Sequence, residues 1–79
     1  MRSDWEVVKV TTDIVWIIDL DIGGKSVTND AENVVKELNI KYPGRRIIYR
    51  DTMNRWDELV HENGLFVGWK SDVGGPNSE

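Results

Sequence analysis

The segment at residues 14–18 is apolar at every position and ends at Asp19. Successive side chains of a β-strand point to opposite faces of its sheet, so both faces of this strand need to be covered. The pattern therefore predicts a central strand at residues 14–20. A helix can cover one face of it, and the other face requires large side chains of neighbouring strands or a second copy of the chain.

A helix is predicted after this strand, following a polar loop that contains glycine. Asn29 is a favourable N-cap, with Glu32 at the spacing of a capping box, and Thr28 is the rival cap. Pro43 and Gly44 end the helix. Apolar side chains recur at helical spacing and form one stripe: Ala31, Val34, Val35, Leu38 and Tyr42. This stripe gives the helix one face with which to cover a sheet.

Four further segments have the composition of β-strands: residues 5–10, 45–50, 56–61 and 65–69. Asn63 and Gly64 separate the last two, and this dipeptide is a strong signal for a two-residue hairpin turn. Alternation along the last strand predicts a common face for Leu65, Val67 and Trp69. Gly68 leaves a bare spot on that strand, against which a large side chain such as tryptophan could pack.

The predicted order β-β-α-β-β-β is an α+β fold, a twisted and mostly antiparallel sheet with one helix packed on one face. Because the helix connects the second and third strands, these two can run parallel and the sheet can be mixed. A chain of 79 residues forms one domain at most, which we assign to residues 1–69. Residues 70–79 are mainly Gly, Pro, Ser and Asp, and we predict that they form a disordered C-terminal tail.

The absence of cysteine excludes disulfides, thiolate metal sites and cysteine nucleophiles. Secreted domains of this size are usually held by disulfides, so we expect a cytoplasmic protein. We expect no signal peptide, and the apolar run at residues 14–18 is too short to span a bilayer. A domain this small leaves little room for a cleft with a catalytic apparatus, so we expect neither enzymatic activity nor a cofactor.

Three incomplete functional motifs overlap in the loop at residues 19–26. Asp19 and Asp21 follow an apolar strand and resemble the first motif of haloacid-dehalogenase-type phosphatases, whose two carboxylates act on a phosphoryl group with magnesium. Residues 24–26 resemble the end of a P-loop, but Asp19 stands where that motif needs its first glycine. The loop also partly fits a calcium-binding loop without supplying enough oxygen ligands. Asp19 and Asp21 are therefore weak candidate metal ligands.

Arginine and aromatic side chains concentrate between residues 41 and 56. Residues 41–55 carry five basic side chains and one acidic one, although the whole chain has a net charge of −4. The candidate binding residues of this segment are Arg46, Arg50, Arg55, Tyr49 and Trp56. Side chains of these types dominate protein interfaces, and they can also hold phosphates and stack bases. Alternation puts Tyr49 on the other face from Arg46 and Arg50, and the acidic total charge favours a protein partner over nucleic acid.

Residues 26–35 and 47–59 are similar to sequences of small bacteriophage and prophage proteins. Those proteins have no assigned catalytic residues, so the resemblance brings no functional residue to this chain. It implies a bacterial cytoplasm, or a host cytoplasm for a phage-encoded protein, and a role in handling a host or phage protein.

The leading hypothesis is a small, non-catalytic protein-interaction module, with a homodimer through the uncovered sheet face as one option for its partner. Nucleic-acid binding through the basic and aromatic segment at residues 41–56 is the alternative. A metal-dependent phosphohydrolase that uses Asp19 and Asp21 is the second alternative. No membrane partner is expected.

Overall fold

The computed structural model describes residues 5–21, 25–50 and 55–76. Its strands and helices are, in order, β1 (Trp5–Val10), β2 (Ile14–Asp19), α1 (Lys25–Thr28), α2 (Ala31–Lys41), β3 (Arg46–Arg50), β4 (Trp56–Glu62) and β5 (Leu65–Lys70). The predicted α+β fold is confirmed, and every strand begins and ends within one residue of its predicted bounds. The short helix α1 was not predicted.

The five strands form a single sheet in which they are ordered as in the sequence. β2 and β3 run parallel, because α2 carries the chain back along the sheet between them. The pairs β1–β2, β3–β4 and β4–β5 are antiparallel. The sheet is therefore mixed, and β2 has a neighbouring strand on each side, as its apolar sequence indicated.

On one face of the sheet, which we call the first face, α2 packs through its predicted stripe. The core of this face comprises Val15, Ile17, Val27, Ala31, Val34, Val35, Leu38, Ile47, Tyr49 and Leu59. The helix begins after Asp30, so the predicted caps Asn29 and Thr28 are wrong by one or two residues. Both residues belong to the preceding helical turn instead. Thr28 is the last residue of α1, and the Asn29 N–H donates to the Lys25 carbonyl at 2.9 Å.

The opposite face, which we call the second face, is covered by the C-terminal segment of the same chain. Its smaller core is formed by Ile14, Trp16, Ile48, Trp56 and Val73. Residues 71–76, which we call the strap, leave β5 and cross this face. The Val73 N–H donates to the Trp56 carbonyl at 2.8 Å. At the other side of the sheet, Lys9 Nζ donates to the Pro76 carbonyl at 3.5 Å.

The strap bears on two predictions. The second face would have to be uncovered to form the predicted homodimer, yet Trp16 and Ile48 are only 0% and 1% exposed there. Lys70 belongs to β5, residues 71–76 lie on the sheet, and residues 77–79 lie outside the described residues. The contacts of residues 71–76 do not measure mobility in solution. The disorder of residues 70–79 therefore remains a prediction.

The turn between β4 and β5 is formed by Asn63 and Gly64, as predicted. Their φ angles are 54° and 87°, and both central residues of a type I′ hairpin turn need positive φ. Gly64 tolerates this conformation without the steric penalty of a Cβ atom. The turn therefore explains how so short a connection reverses the chain.

A β-bulge at Val67 interrupts the pairing of β5 with β4, since Val60 pairs with Gly68 but His61 pairs with Phe66. Leu65 and Trp69 consequently lie on opposite faces of the sheet, and the predicted common face is wrong.

The predicted packing of a large side chain on Gly68 is also wrong. A Cβ atom added at Gly68 would meet no atom within 4 Å. The glycine that does lie against a tryptophan is Gly75 of the strap, where an added Cβ would collide with the Trp56 indole. A glycine there lets the strap lie close to the sheet.

Replacing Gly64 with alanine is expected to lower the free energy of unfolding by roughly 1–2 kcal/mol, the cost of a left-handed conformation for a residue with a Cβ atom. The new methyl group would also lie 2.8 Å from Asn39 Nδ2. Gly68→Ala is the matched control, because its surroundings are open. Urea unfolding measures the free energy of unfolding of both variants. An equal loss of stability in Gly64→Ala and Gly68→Ala would contradict the turn conformation.

Candidate functional site

Asp19 ends β2 as a fully buried carboxylate, and both of its oxygens accept backbone hydrogen bonds. Oδ1 accepts from the Asp21 N–H at 2.8 Å, and Oδ2 accepts from the Val27 N–H at 2.8 Å. The first bond closes a turn at the strand end, and the second fixes α1 to the sheet. Asp19 therefore has a structural role at the connection between β2 and α1.

Asp21 is partly buried, and its Oδ2 accepts a hydrogen bond from the Ser26 hydroxyl at 3.4 Å. Within residues 5–21, 25–50 and 55–76, no group of three or more His, Cys, Asp or Glu side chains is placed to hold a metal ion. Gly23 and Gly24, which the P-loop and calcium-loop interpretations need, lie outside the described residues.

The predicted arginine and aromatic residues do not form one surface. Arg46 lies on the second face and grips Glu58 of β4 with a two-point contact, in which Nη2 and Nε lie 2.8 and 3.2 Å from the two carboxylate oxygens. Glu58 is only 9% exposed. A buried carboxylate needs a partner of opposite charge, so Arg46 compensates the burial of Glu58.

Arg50 and Trp56 are paired across β3 and β4, with the guanidinium 5.5 Å from the centre of the indole. Arg55 is exposed and forms an ion pair with Asp57 at 3.2 Å. Tyr49 is buried on the first face, where its ring lies 5.4 Å from that of Trp69. The structure thus brings Arg46, Arg50 and Trp56 to one face and separates Tyr49 from them.

A shallow groove of about 460 Å³ lies at the end of the sheet near the β4–β5 turn, lined by Gly44, Arg45, Arg46, Glu58, His61, Glu62 and Asn63. Its histidine is held at both ring nitrogens. Nδ1 accepts from the Gly64 N–H at 3.0 Å, so the proton is on Nε2, which donates to the Arg45 carbonyl at 2.8 Å. His61 thereby ties the hairpin turn to the start of β3.

A second candidate surface is the outer edge of β5, the last strand in the sheet order. Three of its apolar side chains are exposed: Leu65 at 62%, Val67 at 53% and Trp69 at 43%. Exposed sheet edges normally carry charges, proline, β-bulges or very short strands that prevent pairing with other chains, and of these β5 has the bulge at Val67 and the charge of Lys70 at its end. The sequence contained the signal, since these residues lie in the final strand of a meander, but only the sheet order shows which strand is left at the edge.

Comparison with protein-family models, with curated protein sequences and with solved structures finds no match to this chain. No helix within the described residues is long and apolar enough to cross a membrane. The function is therefore inferred from the sequence and the structure of this chain.

Proposed function

We propose that this chain is a small, non-catalytic protein-interaction module, and that its docking surface is the outer edge of β5. An extended segment of a protein chain would add there as a sixth strand, held by main-chain hydrogen bonds and by contacts with the exposed apolar side chains. The observation that carries the proposal is the exposure of Leu65, Val67 and Trp69 along an edge strand. Such an edge is a template for strand addition.

The opposite edge of the sheet supports this choice by contrast. β1 presents Glu6 and Lys9 among its residues, and Lys9 also contacts the strap and the Trp16 ring. Charged side chains on an edge strand oppose the addition of another strand. β5 contains one charged residue, Lys70, at its very end. β1 also exposes two apolar side chains, Val8 at 47% and Val10 at 37%. With more exposed apolar side chains and fewer charges, β5 is the better docking surface of the two edges.

The hydrogen bonds that Asp19 and His61 make within the fold support a non-catalytic function. Both carboxylate oxygens of Asp19 and both ring nitrogens of His61 are used to hold the fold. A general base or a metal ligand needs a free lone pair that can reach a substrate or an ion. Asp19 keeps a lone pair on each oxygen but is 0% exposed, and both nitrogens of His61 are engaged, so neither residue is placed to reach a substrate, which weakens the phosphohydrolase hypothesis.

Nucleic-acid binding is less well supported than protein binding. Arg46 and Arg55 already face carboxylates, and the chain is acidic overall. Affinity for nucleic acid comes mainly from neutralising phosphates, which paired arginines do poorly. As part of the same proposal, we assign the module to a bacterial or host cytoplasm with a host or phage protein as its target, which is what the resemblance of residues 26–35 and 47–59 to phage and prophage proteins would imply.

Site-specific photocrosslinking in bacterial cells tests the proposal. A photoreactive phenylalanine analogue at Val67 is expected to form a covalent adduct with a protein chain, because Val67 lies half-exposed on β5. The same analogue at Val8 is the control, since Val8 is similarly exposed but lies on β1. Absence of any adduct from position 67, or equal adducts from both positions, would contradict docking at β5.

A further inference from the structure

We infer that the strand added to β5 is the β5 strand of a second copy of this chain; the inference rests on the proposed function of the β5 edge. The six residues of β5 are complementary to themselves when two copies run antiparallel. A two-fold axis between Val67 and Gly68 places Val67 opposite Gly68, Phe66 opposite Trp69 and Leu65 opposite Lys70. The product is a dimer in which two five-stranded sheets become one continuous sheet of ten strands.

The shapes at the centre of this pairing are complementary. Val67 is 53% exposed, and the space around Gly68 is open to at least 4 Å. Each copy therefore offers one protruding side chain and one vacant position, and the two-fold axis brings the valine of each copy to the glycine of the other. The bulge at Val67, next to the axis, puts Phe66 and Trp69 on the same face although they are three residues apart, so these two can lie opposite each other in the pairing.

The aromatic residues extend this complementarity on the first face. Phe66 and Trp69 already contact each other within one chain at 5.2 Å, and Trp69 contacts Tyr49 at 5.4 Å. Pairing sets Phe66 of one copy opposite Trp69 of the other, so the two aromatic clusters merge across the axis. Aromatic pairs facing each other across antiparallel strands stabilise a sheet. Trp69, which is exposed in the single chain, would become covered.

The charges also fit a second copy. Lys70, the single charged residue of β5, would lie opposite Leu65 of the other copy. Lys70 lies opposite Glu58 in its own chain, and in the dimer Glu62 of the second copy, which pairs with Leu65, would lie one strand beyond that leucine. Lys70 would thus have carboxylates on both sides. No two like charges of β5 face each other across the axis. This charge complementarity favours a second copy over a foreign segment of arbitrary sequence.

An edge of six residues buries less surface than a standard protein interface, so the dimer should be weak and depend on protein concentration. Sedimentation velocity of the purified full chain, from low micromolar to millimolar concentration, is expected to show a monomer that converts into a dimer. Val67→Lys puts a charge at the centre of the pairing and is expected to raise the dissociation constant at least about tenfold. Val8→Lys, which adds the same charge to β1, is the matched control and should leave the constant unchanged.

Thermal unfolding of both variants establishes that they fold, and Gly68→Val provides a second variant. It fills the vacant position without meeting any atom of its own chain within 4 Å of its Cβ. It should therefore weaken the dimer and keep the monomer folded. A chain that stays monomeric at every concentration, or a dimer that both Val67→Lys and Gly68→Val leave intact, would overturn the inference.

A disulfide test locates the contact, since the natural chain has no cysteine. Val67→Cys lies next to the axis and is expected to form a disulfide-linked dimer under mild oxidation, much faster than Val8→Cys. Equal rates would overturn the inference. Photocrosslinking at position 67 then distinguishes a failure of the self-pairing inference from a failure of the proposed function. Adducts only with a different protein would end self-pairing and leave the interaction module standing, whereas the absence of any adduct would end both.

Discussion

Alanine in place of Asp19 is expected to lower the free energy of unfolding by about 3 kcal/mol, because two backbone N–H groups lose their acceptor and each unsatisfied buried donor costs roughly 1–3 kcal/mol. The affected donors are the N–H groups of Asp21 and Val27, both at 2.8 Å from the carboxylate. A domain of 79 residues typically has only about 4–12 kcal/mol of stability in total. Urea unfolding followed by circular dichroism measures the loss.

Two controls make the result specific to the hydrogen bonds. Asp19→Asn keeps one acceptor oxygen in place and should lose less stability than the alanine variant. Asp21→Ala removes the neighbouring carboxylate, which is only partly buried and accepts a longer bond from Ser26 at 3.4 Å, and should change stability by less than about 1 kcal/mol. If Asp19→Ala left stability unchanged but abolished stabilisation by magnesium or calcium, the metal-site hypothesis would replace the structural role.

Asp19 also illustrates why sequence patterns identified the fold better than the site. The strands, the helical stripe and the Asn63–Gly64 turn depend on periodicity and on local backbone preferences, which are written in consecutive residues. The partner of Asp19 is the N–H of Val27, eight residues further on and beyond a loop. A carboxylate that follows a strand looks the same in the sequence whether it binds a metal ion or a helix, so the motif was ambiguous until the distances were known.

Neither the packing of the strap nor the geometry of the β5 edge was predicted from the sequence, and the reasons differ. Residues 71–76 have a composition with little to bury, but their single valine, Val73, enters a core whose other members come from β2, β3 and β4. That fit depends on tertiary geometry. The bulge at Val67 was equally hidden, since one extra residue in a strand leaves no clear mark in the hydrophobic pattern. The split of the arginines from Tyr49, in contrast, followed directly from strand alternation.

Removal of residues 71–79 is expected to lower the free energy of unfolding by about 2–4 kcal/mol, from the loss of buried Val73 and the exposure of its apolar neighbours. Trp16 and Ile48, almost completely buried in the full chain, would then face solvent. We expect the shortened chain to bind a hydrophobic dye and to associate through its second face, as the sequence suggested for an uncovered sheet. Denaturant unfolding, dye fluorescence and sedimentation of the two chains measure these effects.

Gly75→Ala tests the packing of the strap in a chain of full length, so its effect on stability cannot come from shortening the chain. An added methyl group would collide with the Trp56 indole, so the strap must shift away from the sheet, and we expect a part of the loss seen on truncation. Gly68→Ala is again the control, because its methyl group meets no atom. If truncation and Gly75→Ala both left stability unchanged, the strap would not pack in solution, and the disorder predicted for residues 70–79 would be the correct description. The second face would then be an alternative dimer surface. Val67→Lys would not disturb a dimer formed there, so sedimentation of this variant distinguishes dimerisation through the second face from dimerisation through β5.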